Sequence, residues 1–139
     1  MMQDLLRFVA DDLSFLFDQG FKIVGSDHKD DMAKLRLSAD AIQVEVVVER
    51  DERSARIRLA PSPEWFWIGV LRRTLGGERP GSDVLDADAA KFLKRHLPSL
   101  IRLGERERAS LAAELVRDRL ARASEELGFP APPQSTRGG

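Results

Sequence analysis

Asp27, His28, Asp30 and Asp31 crowd into one short stretch, a set of oxygen and imidazole donors that could hold a hard cation. The stretch lacks the glycine and the terminal glutamate of a calcium loop, and its spacing fits no standard site. A solvated hairpin tip accounts for it, so no metal ligand is assigned. His28 and His96 are the only histidines. General acid–base work needs a carboxylate positioned on the imidazole and a cleft for substrate, and the sequence shows neither a positioned carboxylate nor a cleft for either histidine. His96, at a predicted helix end just before Pro98, suits a dipole-facing role. Asp83, Asp86 and Asp88 form a second acidic group where a helix begins, and capping explains them without a metal. Lys94, Arg95, Arg102, Arg106 and Arg108 are the best phosphate-contacting candidates. Glu105 and Glu107 interrupt them and no aromatics accompany them, which favours a solvated helical face. Gly76-Gly77 lacks the lysine and hydroxyl of a phosphate loop. With no cysteine there is no disulfide, thiolate zinc site or cysteine nucleophile. No catalytic residue, cofactor site or metal site is assigned, and the reading leans away from an enzyme.

Two features instead have the chemistry of a contact surface. The first is a set of charges alternating along predicted strands: Lys34, Arg36, Glu45, Glu49, Arg56 and Arg58. The second is Trp65-Phe66-Trp67. On a helix, Trp67, Ile68, Leu71 and Leu75 form an inward stripe, while Phe66 and Val70 point largely the other way. Trp65 then lies at the boundary and Arg73 beside Phe66. That second stripe is either buried by later helices, the favoured reading, or exposed as a contact patch, where aromatics and arginine are common. The candidate partner-binding residues are therefore Lys34, Arg36, Glu45, Glu49, Arg56, Arg58, Trp65, Phe66 and Arg73.

Residues 41–60 organise the elements that must position these groups. Ile42, Val44, Val46 and Val48 alternate with Gln43, Glu45 and Glu49, and Ala55, Ile57 and Leu59 alternate with Arg56 and Arg58. Period two marks strands with one buried and one wet face. A turn over 51–54 sets Glu49 opposite Arg56 and Val48 opposite Ile57. Upstream, a helix spans 3–19, with Leu5, Val9, Leu13 and Leu16 in its stripe and Leu6 and Phe17 widening it. A strand over 21–26 has Phe21 and Ile23 inward, and a turn over 27–31 leads to a strand over 32–38. The turn 38–41 pairs Leu37 with Ile42 and Leu35 with Val44, and puts Lys34 opposite Glu45. The result is a four-stranded meander.

Downstream, Pro61 and Pro63 stop the fourth strand. Ser62-Pro63-Glu64 starts a helix that runs to Leu75 and ends at Gly76-Gly77. Residues 78–82 form a loop. A helix over 86–96 turns Ala89, Ala90, Phe92, Leu93 and Leu97 inward, Pro98 breaks it, and a helical turn occupies 99–103. The last helix, 105–127, has a stripe of Ala109, Ala112, Val116, Leu120, Ala123 and Leu127. Asp118–Arg122 and Arg122–Glu126 pair along it, and Gly128 caps it. The class is α+β: an N-terminal helix, the meander, then three to four helices packed on one sheet face. Residues 1–128 form a single domain and 129–139, rich in proline, a flexible tail.

The chain has 139 residues, 42% hydrophobic and 32% charged, with a net charge of −1. This describes a globular protein without global attraction to nucleic acid or an anionic membrane. No apolar run reaches the roughly 18 residues of a membrane span, and the N-terminus is acidic and amphipathic, unlike a signal peptide. A cytoplasmic location is expected.

A helix ending in FLFDQGFKIV, then strands carrying VEVVVERDERSARIRLA, then helices, resembles small bacterial toxin-immunity or uncharacterised proteins over about residues 3–60. The resemblance implies a protein that binds one protein partner through a charged surface, and it carries no functional residue over. The leading expectation is a non-enzymatic protein-binding module, in its most concrete form an immunity protein that inhibits a cognate toxin. The alternative is a small-molecule binder or minor enzyme with a pocket between sheet and helices.

Overall fold

Each of the first three hairpins turns in two residues, and this sets the register of the whole sheet. In the computed structural model, which describes residues 1–77 and 82–128, strands β1 (Lys22–Lys29), β2 (Met32–Ala39), β3 (Ile42–Glu49), β4 (Glu52–Leu59) and β5 (Trp65–Trp67) form one antiparallel sheet in chain order. The β3–β4 turn is Arg50-Asp51, with φ of 52° and 63°, the left-handed pair whose twist matches that of the flanking strands. Asp40, at φ 49°, opens the β2–β3 turn. Polar runs of four or five residues in the sequence point to longer turns. The tighter ones slide the pairing, so Leu37 faces Val44, Leu35 faces Val46 and Lys34 faces Val47. Glu49 faces Glu52 and Val48 faces Arg53, while Glu45 takes Arg56 and Val44 takes Ile57. Every slide is an even number of residues, so no side chain changes face. The core therefore stands: Leu35, Leu37, Ile42, Val44, Val46, Ala55, Ile57 and Leu59 are buried.

The strand count is five, not four. Trp65–Trp67 is a strand where a helix was expected, with Phe66 opposite Ile57 and the two tryptophans opposite Arg58 and Arg56. Aromatics favour strands, and this segment satisfies the otherwise bare edge of β4. The helix α3 (Ile68–Gly76) begins only afterwards. Its cap comes from afar: the Asp83 carboxylate accepts from the Gly69 N–H at 3.0 Å. Ser62 instead accepts from the Glu64 N–H within the preceding turn. Gly77 ends α3 in the left-handed conformation, φ 66°.

The helices cover one face of the sheet and share a single core with it. The N-terminal helix is interrupted, giving α1 (Met2–Asp12) and α2 (Phe15–Asp18). Leu5, Val9, Leu13 and Leu16 are buried as their spacing requires, but Leu6 and Phe17 are exposed, and Phe8 is buried in their place. β1 runs on to Lys29, so Asp27, His28 and Lys29 are strand residues and Asp30-Asp31 alone make the turn. Ile23 lies on the core face opposite Leu37 yet stays exposed, because the helical layer stops short of β1. Helix α4 (Ala87–Arg102) passes through Pro98 without breaking. A helix-interior proline costs about 3 kcal/mol; burial of Leu93 and Leu97 before it and Leu100 after it offsets that. Asp86 caps α4, accepting from the Ala89 N–H at 2.8 Å.

Helix α5 (Glu105–Leu127) has the expected bounds, but its expected stripe is buried only in part. Ala112 and Leu115 are buried and Val116 is partly so, whereas Ala109, Leu120, Ala123 and Leu127 are exposed. Polar rivets hold the helix instead. Arg108 donates to the Ala60 and Leu103 carbonyls at 2.6 and 2.7 Å, and Arg119 donates to the Trp65 carbonyl at 3.1 Å. Asp118 accepts from the Thr74 hydroxyl at 2.8 Å, and Arg122–Glu126 pairs along the helix. Of the expected loop at 78–82 all but Ser82, and the whole of the expected tail at 129–139, lie outside the described residues.

Candidate binding face

The sheet face turned away from the helices is a grid set by strand register. One row across it reads Gly25, Arg36, Glu45, Arg56, Trp67; the next reads Lys22, Ser38, Gln43, Arg58, Trp65. At its centre Glu45 is only 2% exposed, although it stands on the open face. The side chains above it explain this. Arg56 donates through Nε and a terminal nitrogen to Oε1, at 2.7 and 2.6 Å, and Arg36 donates to Oε2 at 3.0 Å. Both carboxylate oxygens are thus satisfied, as a buried charge requires. Arg58 donates to the Gln43 side-chain oxygen at 2.6 Å.

The tryptophans roof this network. The Trp65 ring lies 5.4, 4.8 and 5.2 Å from the guanidinium carbons of Arg36, Arg56 and Arg58, and the Trp67 ring lies 5.6 Å from that of Arg56. These separations are within cation–π range. Arg56 is therefore fixed from below by a carboxylate and touches both rings. Trp67 keeps 38% exposure and the Arg36 side chain 44%, so each keeps part of its surface in solvent. Beside them a depression of about 440 Å³ is lined by Lys34, Val47, Glu49, Glu52, Arg56 and Trp67. Glu49 and Glu52 face each other across the strands, and neither has an ion-pair partner among the described residues.

The candidate residues thus separate. Lys34, Arg36, Glu45, Arg56, Arg58 and Trp65 share this face, with Glu49 at its margin. Phe66 does not join them, since alternation within β5 drives it into the core at 0% exposure. Arg73 is also elsewhere. It pairs with Glu125 of α5 at 3.2 Å, and Arg119 takes the place beside Phe66, 5.1 Å from its ring. Trp67, expected inward, and Gln43, expected only as a wet-face residue, belong to the network. The signal for Trp67 was the large–large–large run Trp-Phe-Trp directly after prolines, which fits a short edge strand as well as a helix.

The other candidates have ordinary roles. His28 is exposed on β1 opposite Ala33, and the His96 ring packs 4.4 Å from that of Phe92. Arg108 is spent on backbone carbonyls. Among the described residues no three acids or histidines are placed to hold a metal, and no helix is long and apolar enough to cross a membrane. The layer between sheet and helices is filled by side chains such as Leu35, Val44, Ile57, Phe66 and Leu93, each at 0–1% exposure. No family model matches the chain, and neither a curated protein nor a solved structure is detectably similar to it.

Proposed function

We propose that this chain is a non-enzymatic protein-binding module whose contact surface is the open sheet face, and that its most concrete role is inhibition of a cognate toxin. The observation that carries this reading is the arginine–tryptophan array locked onto buried Glu45. Tryptophan and arginine dominate the energetics of protein interfaces. Side chains already held in place lose less freedom when a partner docks, which raises affinity for a given area. Acids interleave with bases across the face, which suits a partner of matching mixed charge. Side chains fill the sheet–helix core, and the pocket-based alternative is left with a depression of about 620 Å³ at its rim, lined by Leu5, Val48, Arg53 and Leu85.

The experiment pairs the chain with the product of the gene adjacent to its own. If that product arrests growth and this chain relieves the arrest, Trp67→Ala with Lys34→Glu should abolish the relief while leaving the circular dichroism spectrum unchanged. Relief that survives this double substitution removes the open face as the contact surface, and an adjacent product that does not arrest growth removes the inhibitor role. Arg56→Glu is unsuitable for the purpose, because it sets a second carboxylate against buried Glu45 and would unfold the sheet.

A further inference from the structure

We infer that the chain self-associates through the outer edge of β1, a second copy adding its own β1 antiparallel so that two sheets become one. β1 closes one side of the sheet, all eight of its residues are exposed, and among the described residues no strand pairs with its outer edge. The opposite side differs: β5 is three residues long, and Ser54 beside it bridges to Val84. A long bare edge offers a row of unpaired N–H and C=O groups, which sheets usually blunt. β1 carries a bulge between Ile23 and Gly25 and the charges Lys22, Asp27 and Lys29, and beside them apolar side chains also stand exposed, Ile23 and Val24 at 46% and 57%. Phe17 is exposed in α2, the element that precedes β1 in the chain.

Charge commits the occupant to a second copy. The register shift between Ile23 and Gly25 leaves Lys22 opposite Ser38 and Asp27 opposite Lys34. Both therefore stand on the open face, although strict alternation would separate them. Turning β1 on itself about the Val24–Gly25 bond sets Lys22 of each copy against Asp27 of the other, twice, on the same face. Ile23 meets Ser26 on the helix side, and Val24 meets a glycine, which leaves it room. A twofold axis normal to the sheet demands this matching of faces. Neither Lys22 nor Asp27 has an ion-pair partner within its own chain among the described residues. The two open faces would lie on one side of the joined sheet, but the inference stands whether or not that face binds a partner.

Sedimentation of the full chain across the micromolar range tests it. The wild type should show a monomer–dimer equilibrium. Lys22→Asp and Asp27→Lys should each weaken it roughly tenfold or more, because each turns both opposite-charge pairs into like-charge pairs. The double substitution Lys22→Asp with Asp27→Lys should restore it. Unchanged circular dichroism in every variant keeps folding out of the comparison. A wild type that stays monomeric overturns the inference, even if an extended peptide of another sequence pairs with β1. A dimer indifferent to the single substitutions, or one not restored by the double, overturns it equally.

Discussion

Replacing Glu45 by alanine removes the acid on which the open face is built. Its two oxygens accept from Arg36 and Arg56 at 2.6–3.0 Å, and the residue is 2% exposed. Breaking a buried ion pair from one side costs about 3–5 kcal/mol, because the remaining charge is stranded. The arginines here keep 44% and 26% side-chain exposure. They can turn toward water, so the expected loss falls to about 2–3 kcal/mol. For a domain of this size that lowers the melting temperature by about 6–10 °C. Tryptophan fluorescence during urea unfolding is the natural assay, since Trp65 and Trp67 sit over the same arginines. High salt should leave the loss intact, because a buried carboxylate is screened little. Glu125→Ala, which removes the more exposed Arg73–Glu125 pair, is the control and should cost under about 1 kcal/mol. A Glu45→Ala protein within about 0.5 kcal/mol of wild type, or one that recovers in salt, would refute the buried-acid account.

Phe66→Ala should destabilise the fold by about 3–5 kcal/mol in the same assay, as expected for a fully buried aromatic and unlike a contact residue on the surface. Val46→Ala, on the buried face of β3, should cost about 1–3 kcal/mol. Asp83→Ala should cost about 1 kcal/mol and speed amide exchange at Gly69, because it strips α3 of the cap supplied from outside the helix. A null effect on Gly69 exchange would mean that the cap is not formed in solution.

The parity of the sheet was legible in the sequence, and its register was not. Alternation alone places Leu35, Val44, Val46 and Ile57 inward, and no slide by an even number of residues disturbs that. Register depends on turn length, and Arg50-Asp51 is an unadvertised two-residue turn with neither glycine nor asparagine. Hence alternation marks Glu45 and Arg56 as surface charges, but the longer turns set them against Lys34 and Glu49 and not against each other. Trp65-Phe66-Trp67 failed for a different reason. Three residues are too few for a period to declare itself, and the edge of β4 that recruits them is a tertiary fact. Pro98 misled because local propensity weighs against it, whereas the buried leucines on both sides decide the outcome. Helix α5 has good boundaries for the opposite reason: Gly104 with Glu107 and Gly128 are local signals, and local signals are read from sequence.

The open face invites one last comparison, between what stability needs and what the chain carries. Apolar side chains of similar volume in place of a buried acid and its arginines are often neutral or even stabilising, since the ion pairs must first repay desolvation. The row Arg36, Glu45, Arg56 therefore contributes little that leucines could not supply to the fold itself. Leucines there would leave a broad exposed apolar sheet face, prone to unspecific association. The charged row avoids that while holding Trp65 and Trp67 at fixed heights above the strands. A rigid, mixed-charge, aromatic surface gains little in stability from its composition and much in selectivity toward a complementary partner. That balance supports recognition by the open face, and it separates this face from the β1 edge, where backbone groups and a single repeated charge pair would do the joining.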